Sequence, residues 1–468
     1  MKRLSAFFAG LLSFALTLSA TTFYVTIDGS DEDGCGSPTQ AFASIRAALT
    51  NTVSGDTIRV GEGTFLTQAK YEVIKDNAVT IIGSGNQNTI LTAAADIRLF
   101  EINGGTLRLK NLCIKDISNN QEGGAIIAKS LSGKNAVLHC ENVDFINNSA
   151  KGSPVARVEG GGARFVQCNF IENQSLTYGA IGLIASNYAF DEILISGCLF
   201  RENTANNNGS ALRIYAQNNV EKCDIANNTF IGNHLTANSG TIAIEGGNAS
   251  GNNRNIHILH NTIVNNTNVS DKTAGIFVNG TADNIVEIIN NIIADNPSGD
   301  GKSYAIQLAN VSLKASSNNL IDYTAAQIKL ETLASNGGQT QSMALSAGSI
   351  AINCGKTDTG ILIDQRGYLR DNQPDIGAYE YDAIPLNDRS DISGNNKLNV
   401  YPNPFSDVVS FSIPVRQIKI YAVDGKEVFS RSDRMFSSVN LNHLSTGNYV
   451  FYFTTYTGEK KSCSLIKE

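Results

Sequence analysis

One phrase decides the fold: CNFIENQ (168–174), which returns as CLFRENT (198–204) and NTFIGNH (228–234). Looser copies are VDFINNS (143–149), NTIVNNT (261–267) and NIIADNP (291–297). The central residue of each copy is apolar, and consecutive copies lie 25, 30, 30, 33 and 30 residues apart: Phe145, Phe170, Phe200, Phe230, Ile263 and Ile293. A nearly fixed period of this length indicates a solenoid, in which each repeat packs on its neighbours.

The chemistry of the repeat selects the kind of solenoid. A second phrase alternates with the first, as in GAIGLIA (179–185) and GSALRIY (209–215), and both are short apolar runs bounded by Asn or Gly. No long helical stripe intervenes, which disfavours helical and leucine-rich repeats, and propeller blades are longer, near ~40 residues. We therefore predict an all-β chain: a right-handed parallel β-helix with coils stacked ~4.8 Å apart, followed by a small C-terminal β-sandwich.

Two rows of residues are predicted to line the coils. The first lies two positions before the central apolar residue: Cys168, Cys198, Asn228, Asn261 and Asn291. The second lies three positions after it: Asn148, Asn173, Asn203, Asn233, Asn266 and Asn296. For the first row we expect stacked thiols and amides at an inward corner, because stacked Asn amides hydrogen-bond each other. For the second row we expect the left-handed conformation of a sharp corner, which Asn tolerates.

Residues 1–20, MKRLSAFFAGLLSFALTLSA, have a basic start, an apolar run and a small-residue end. This pattern predicts a secretory signal peptide cleaved after Ala20, with a retained N-terminal anchor as the alternative. No later segment approaches ~20 apolar residues, so we expect no membrane span in the mature chain. Residues 21–381 are predicted to form the β-helix, capped over 22–65 by a segment with helical spacing.

Composition narrows the partners and cofactors. The net charge is −7, from 36 basic and 43 acidic residues, which gives no electrostatic footprint for nucleic acid. Export makes disulfides permissible for the eight cysteines, but their spacing assigns no pairing. Because no CxxC pair or Cys/His cluster indicates a metal, we predict no metal site and no cofactor, with Ca²⁺ as the alternative.

Two stretches resemble known β-helix proteins. The phrases GDTIRVGEGTF (55–65) and TIIGSG (80–85) resemble the start of pectate-lyase-like β-helix proteins, and most of 22–320 shares their organisation. Residues 335–381, which include IDQRGYLRDNQPDIGAYEY, resemble the closing segment of secreted β-helix proteins in the choice-of-anchor families, although Cys354 replaces a small residue. We expect four charged residues there to form a cluster that closes the last coil: Asp364, Arg366, Arg370 and Asp375.

The C-terminal tail has its own pattern. Residues 382–397 are polar and turn-rich, which predicts a linker, and 398–468 alternate as roughly seven short strands. The tail resembles the type A sorting domain of type IX secretion substrates on four motifs: YPNP (401–404), DGK (424–426), GNY (447–449) and the final LIK (465–467). The resemblance implies translocation by that machinery, removal of the tail, and release or outer-membrane anchoring. A fibronectin-like ligand-binding module is the alternative. The implied sorting signal comprises Tyr401, Pro402, Asn403, Pro404, Gly425, Lys426, Gly447, Tyr449 and Lys467.

Catalytic candidates are few. In a β-helix, a lyase base or a pair of hydrolase carboxylates would come from adjacent coils on one outward face. The candidate ligand face combines two arginines at one strand position with two glutamates at one turn position, where a carboxylate pair could hold a cation: Arg157, Arg213, Glu172 and Glu202. We expect the five scattered histidines to be ordinary surface or turn residues: His139, His234, His257, His260 and His443.

Two functions stay open. The first is a secreted or cell-surface β-helix that binds glycans or adheres without catalysis, which the missing catalytic constellation favours. The second is a polysaccharide lyase or glycoside hydrolase acting on an acidic polysaccharide. A cleft on one face, lined by Arg or Lys and by clustered carboxylates, would favour the enzyme.

Overall fold

The computed structural model describes residues 20–74, 77–246, 254–280, 285–383, 385, 398–423, 425–432, 436–455 and 460–468. Residues 1–19 of the predicted signal peptide and most of the predicted linker at 382–397 lie outside this part of the chain. The described part is nearly all β, with a parallel β-solenoid of about 8 turns and a separate antiparallel sheet near the C-terminus. The predicted all-β class, with a parallel β-helix before a C-terminal β-domain, is confirmed.

A full coil of the solenoid has four sides, which we call faces A, B, C and D in chain order. Faces A and B form one continuous sheet, face C consists of two-residue strands, and face D is a sheet of nine strands. Every face pairs in parallel from coil to coil. The solenoid therefore has more sides than the two alternating phrases of the sequence indicate.

The strands of face A are Thr22–Val25, Thr57–Val60, Ala78–Ile82, the first halves of Thr106–Lys115 and Val137–Ile146, then Gly161–Val166, Phe190–Ser196, Val220–Ala226, Arg254–Leu259, Ile285–Ile289 and Ala315–Ser317. Face B has Gly63–Thr67, Thr89–Ala93, the second halves of the two long strands, then Asn169–Ile171, Leu199–Arg201, Thr229–Ile231, Thr262–Val264 and Ile292–Ala294. Face C has Ser149–Ala150, Gln174–Ser175, Thr204–Ala205, His234–Leu235 and Thr267–Asn268. Face D has Tyr71–Ile74, Phe100–Asn103, Ile126–Lys129, Ala156–Glu159, Ile181–Ala185, Leu212–Ala216, Ile242–Gly246, Ile276–Asn279 and Ile306–Ala309.

The interior is a continuous stack of apolar side chains. The central residues of the repeated phrase pair in register from coil to coil, from Phe145 through Phe170, Phe200 and Phe230 to Ile263 and Ile293. Ring centroids lie 4.3 Å apart between Phe170 and Phe200 and 4.6 Å apart between Phe200 and Phe230, with nearly parallel planes. The predicted column of aromatic rings is confirmed.

The corner between faces B and C carries the predicted asparagine ladder. Asn203 is fully buried, and its side-chain Nδ2 donates to Asn233 Oδ1 at 2.8 Å, while Asn173 Nδ2 donates to Asn203 Oδ1 at 2.9 Å. The left-handed residue at this corner is the one before each ladder asparagine, such as Glu202 with φ 57°. The prediction that the asparagines themselves are left-handed is wrong. Each asparagine side chain must point inward, because its amide forms a hydrogen bond with the equivalent asparagine of the next coil.

The N-terminal end is covered by a short helix, Ile45–Asn51. Ser44 caps it by accepting a hydrogen bond from the backbone N–H of Ala47, which satisfies one of the free donors of the first turn. Ile45 and Ala48 are fully buried with the first coil in the main core. A helix is therefore present within the segment of helical spacing.

A helix, Ala325–Ile328, and a strand, Leu330–Ala334, precede the closing segment (335–381), whose strand Ser342–Leu345 pairs antiparallel with Leu330–Ala334. The closing segment packs along the outer side of the corner between faces A and B over several coils. Asn227 Nδ2 donates to Ile363 O, and the backbone N–H of Gly377 donates to Asn290 O, both at 2.8 Å. Leu308 of the inward row in the last coil is 44% exposed, so the described part of the closing segment does not cover this end.

Two buried ion pairs fix this segment. Arg366 lies 2.7 Å from Asp364 and Arg370 lies 2.7 Å from Glu380, whereas the Asp375 carboxylate accepts two backbone N–H bonds. The predicted charge cluster exists, but its predicted place over the last coil is wrong. At the corner between faces A and B, left-handed residues such as Asn227 and Asn290 leave side-chain and backbone groups pointing outward. The closing segment forms hydrogen bonds with these groups.

The C-terminal domain is a six-stranded antiparallel sheet with its own buried core. Its strands are Val400–Tyr401, Val408–Ala422, Glu427–Arg431, Phe436–Asn440, Gly447–Thr455 and Lys460–Lys467. The long strand changes partners along its length, pairing with Phe436–Asn440 near its start and with Gly447–Thr455 near its end. Within the described residues, we find no helix with the length and apolar character needed to cross a bilayer.

Candidate functional site

Face A carries one column of outward side chains that runs through seven consecutive coils. In chain order these are Arg108, His139, Arg164, Leu194, Asp224, His257 and Glu287. Neighbouring strands place these residues about 4.8 Å apart, so their side chains interact directly. The column is basic towards the N-terminal end of the solenoid and acidic around a histidine towards the other end.

The acidic end places an imidazole between two carboxylates. His257 Nδ1 lies 2.8 Å from Asp224 Oδ1, which is a hydrogen bond, and His257 Nε2 lies 3.8 Å from Glu287 Oε2, which is too long for one. Asp224 and His257 are both buried, at 4% and 6% exposure. Because a carboxylate is hydrogen-bonded to Nδ1, the orientation of the ring is fixed and Nε2 points to the side of Glu287.

Two lysines accompany these carboxylates. Lys222 Nζ lies 3.6 Å from Asp224 Oδ2, and Lys314 Nζ lies 3.1 Å from Glu287 Oε1. Burial lowers the pKa of Lys222, although Asp224 opposes that shift. The side chain of Lys314 is about half exposed, so its ammonium group is accessible from solvent. The site thus combines a positioned imidazole with cationic groups on either side.

A cavity of about 800 Å³ opens above this part of face A. Its floor includes Arg164, Lys222, His257 and Glu287, and the loop 356–360 of the closing segment forms one wall. The C-terminal domain contributes to the rim, where Arg416 forms an ion pair with Glu192. This volume lies within the ~300–1,000 Å³ range of ligand clefts.

At the basic end of the column, the environment lowers the pKa of a second histidine, His139. His139 lies between Arg108 and Arg164 in the register of face A. Burial, together with the charges of Arg164 and Arg108, lowers the pKa of His139 to about 3. Burial likewise lowers the pKa of Arg164 to about 10, and the nearby Arg416 adds to that effect. His139 therefore stays neutral in the mildly acidic range where an ordinary surface histidine takes up a proton.

The two arginines of the candidate ligand face lie on face D. Arg157 and Arg213 occupy the same register position with Gly182 between them, so they do share one outward row. Arg157 Nε pairs with Glu159 at 2.7 Å, and Arg213 stacks 3.7 Å from the ring centroid of Tyr178. Arg213 is also bonded to Glu245 and is only 8% exposed.

The two glutamates of that candidate face lie elsewhere, at the corner between faces B and C. Glu172 and Glu202 follow Asn169–Ile171 and Leu199–Arg201 in successive coils, and Arg201 lies 3.9 Å from the first and 3.6 Å from the second. The structure does not bring them together with the arginines, because face C separates the two rows. The guanidinium between the carboxylates also makes a poor Ca²⁺ site. In the described part of the chain, no group of three or more His, Cys, Asp or Glu side chains is placed to hold a metal.

The expectation that His257 is an ordinary turn or surface residue is wrong, since it is buried between two charged coils. The missed signal was the repeat itself. Asp224, His257 and Glu287 each lie six positions before a central apolar residue, at Phe230, Ile263 and Ile293. Aligning every position of the period, rather than only those near the turn, places these three side chains in one column.

The predicted sorting-signal residues converge at one end of the C-terminal sheet. Asn403 Oδ1 accepts the backbone N–H of Ile466, which joins the first motif to the last strand. Gly447 pairs with Lys467, and Tyr449 pairs with Leu465 on one side and with Ala422 on the other. Ala422 lies just before the turn that contains Gly425 and Lys426. Tyr401 is half exposed. Two further members flank Asn403 in the chain: Pro402 and Pro404.

Comparison with known proteins identifies the class of the C-terminal domain. Residues 399–468 match the family model described as Secretion system C-terminal sorting domain. The chain therefore carries a C-terminal sorting domain, which implies export to the surface or the medium. No curated protein matches the chain.

Some solved structures resemble the chain at low identity. One, the crystal structure of pectate lyase Pel9A, is 15% identical with a TM-score of 0.44, covering 78% of this chain and 97% of its own. Another, a rhamnogalacturonan lyase, is 14% identical with a TM-score of 0.40, covering 70% of this chain and 96% of its own. These likenesses concern the fold alone.

Proposed function

We propose that the protein is an exported β-helix that binds an acidic polysaccharide in the cavity of face A. Its proposed parts are a signal peptide at 1–20, the β-helix at 21–381, a linker at 382–397 and the sorting domain at 398–468. The type IX secretion machinery delivers it across the outer membrane, and the mature protein stays at the surface or is released. The sorting domain supports the export step, and the cavity supports the binding step.

The export signal is the converging end of the C-terminal sheet. Motifs that are far apart in sequence lie side by side there, with the half-exposed ring of Tyr401 and the exposed Lys426 available to a partner. Tyr449 contributes by holding the shape, because its ring is buried and its hydroxyl donates to Ser445 O at 2.7 Å. A receptor of the machinery would read such a surface as one unit.

Export should depend on this end of the sheet. We expect the double variant Tyr401→Ala/Lys426→Ala to accumulate inside a host that has a type IX system, because two exposed contacts with the machinery are removed. The matched control, Tyr452→Ala/Lys419→Ala, makes the same chemical changes on exposed side chains of the sheet face. Immunoblots of medium, surface and periplasm give the readout, and equal export of both variants would contradict the assignment.

Polysaccharide binding rests on one observation: cationic and acidic side chains from consecutive coils line a single cavity. Lys222, Lys314 and Lys356 supply ammonium groups for the carboxylates of a polymer, and neighbouring carboxylates accept hydrogen bonds from its hydroxyls. The repeat of the coils along face A suits an extended, repetitive ligand. Metal-bridged binding is not needed, and we propose no cofactor.

Binding should weaken when the accessible lysines are removed. We expect Lys314→Ala/Lys356→Ala to lose roughly tenfold in affinity for polygalacturonate or alginate in affinity electrophoresis, about 1.4 kcal/mol for two charge contacts. Lys151→Ala/Lys272→Ala is the control, since both exposed lysines follow face C on the opposite side of the solenoid. Equal retardation of the two variants, or wild-type retardation by neutral dextran alone, would exclude this site.

Cleavage of the bound polymer is the second candidate function. His257 and Glu287 line the cavity and Asp224 orients His257 from the adjacent coil, which favours cleavage because an imidazole oriented by a carboxylate is a typical general base. A cleft lined by Lys and clustered carboxylates is also the feature expected of an enzyme that acts on such a polymer.

A further inference from the structure

We infer that the Asp224–His257–Glu287 column is a metal-independent catalytic site that cleaves a uronate-containing polysaccharide by β-elimination. The inference rests on the proposed binding function, and it assigns the base, the positioning residue and the charge partners. The three residues come from consecutive coils of face A, and His257 and Glu287 line the 800 Å³ cavity.

The geometry favours proton abstraction over hydrolysis. A hydrolytic pair of carboxylates needs open space between them for water or for the sugar. Here the imidazole of His257 fills the space between Asp224 and Glu287, so these carboxylates do not face each other across a gap. The ring is the group presented to a ligand, and an imidazole removes a proton from a substrate carbon that is made acidic by its neighbours.

A uronate supplies such a carbon. The proton on the carbon next to its carboxylate becomes removable when negative charge spreading into that carboxylate is stabilised by cations. Lys222 and Lys314 lie beside the two ends of the column, and the exposed ammonium of Lys314 is placed to receive the carboxylate. Neutral sugars have no such acidic carbon, which restricts the substrate class to acidic polymers.

The reaction balances without a co-reactant. His257 Nε2 takes the proton, the C–H electron pair becomes a carbon–carbon double bond, and the glycosidic C–O bond at the next carbon breaks. The leaving oxygen keeps that bonding pair and then receives the proton back from the imidazolium. Asp224 holds the ring through Nδ1, and Glu287, 3.8 Å from Nε2, stabilises the imidazolium between the two steps.

No metal enters this scheme. Among the residues that the structure describes, no carboxylate cluster is placed to bridge Ca²⁺ to a uronate. Lys222 and Lys314 supply the positive charge beside the carboxylates of Asp224 and Glu287 instead. Turnover should therefore persist in EDTA.

The test uses the full chain with polygalacturonate and alginate, follows the absorbance of unsaturated uronide ends, and measures binding in parallel. We expect His257→Gln to bind like the wild type but to lose at least about a hundredfold in turnover. As a positioning residue, Asp224→Asn should lower kcat at unchanged KM and unchanged binding. His234→Gln, a histidine on face C, should match the wild type.

The possible outcomes separate this inference from the proposed function. Binding by the wild type without cleavage overturns the catalytic assignment and leaves the binding function standing. Absence of binding to either acidic polymer overturns both. Cleavage that requires added Ca²⁺, or a His257→Gln variant that cleaves at the wild-type rate while still folded by circular dichroism, also overturns the assignment.

Discussion

Phe200→Ala should cost about 3–5 kcal/mol in the free energy of unfolding of the β-helix, which is the range for deleting a buried ring. Phe200 is fully buried and stacks between Phe170 and Phe230 at centroid distances of 4.3 and 4.6 Å. Removing the ring leaves a cavity in the middle of the column that the rigid coils on either side cannot close. Urea denaturation followed by far-UV circular dichroism measures the loss.

Two variants calibrate this effect. Phe200→Leu keeps much of the volume, so its loss should be clearly smaller than that of the alanine variant. Leu176→Ala removes an apolar side chain that is 62% exposed in a turn, and its unfolding midpoint should stay close to that of the wild type. A Phe200→Ala protein as stable as the Leu176→Ala protein would mean that the rings do not form a shared core.

Asn203→Ala is expected to have a comparable effect, about 3 kcal/mol or more, for a different reason. The Asn203 side chain accepts from the backbone N–H and Nδ2 of Asn173, and it donates to Phe170 O and Asn233 Oδ1. Alanine removes all four bonds and leaves buried donors and acceptors in the coils on both sides without a partner. Each such group costs about 1–3 kcal/mol when it is left unsatisfied.

The control for the ladder is Asn187→Ala, the same chemical change in an exposed turn between faces D and A. It should shift the urea midpoint very little, because water replaces whatever the amide bonds there. Hydrogen exchange adds a local readout: in Asn203→Ala, the amide of Asn173 should lose protection. Unchanged protection at that amide would refute the ladder as a source of stability.

Local pattern explains why so much of the fold was predictable from the sequence. A solenoid repeats one environment, so the apolar centre at Phe170 recurs at Phe200 and Phe230 with the coil period, and the asparagine row recurs with it. The four motifs of the tail likewise sit within one small domain. What the pattern misjudged was the identity of the left-handed residue, since Glu202 and Asn203 are adjacent and only the backbone angles decide between them.

The candidate ligand face shows the complementary failure. Arg157 and Arg213 were placed correctly in one row, but Glu172 and Glu202 lie one face further round the coil. The number of faces per coil depends on where the chain bends, and a bend of one or two residues leaves little trace in hydrophobic alternation. Residues a few positions apart within one coil can therefore lie on different faces of the solenoid.

The sequence alone determined the coil period, the stacked core and the sorting domain, because each follows from short-range pattern repeated along the chain. Only the tertiary structure decided the functional site. His257 meets Asp224 and Glu287 across intervals of 33 and 30 residues, and the cavity above them is completed by loop 356–360, which folds back along the coils. Such contacts depend on register between coils and on the path of the closing segment, which local pattern does not specify.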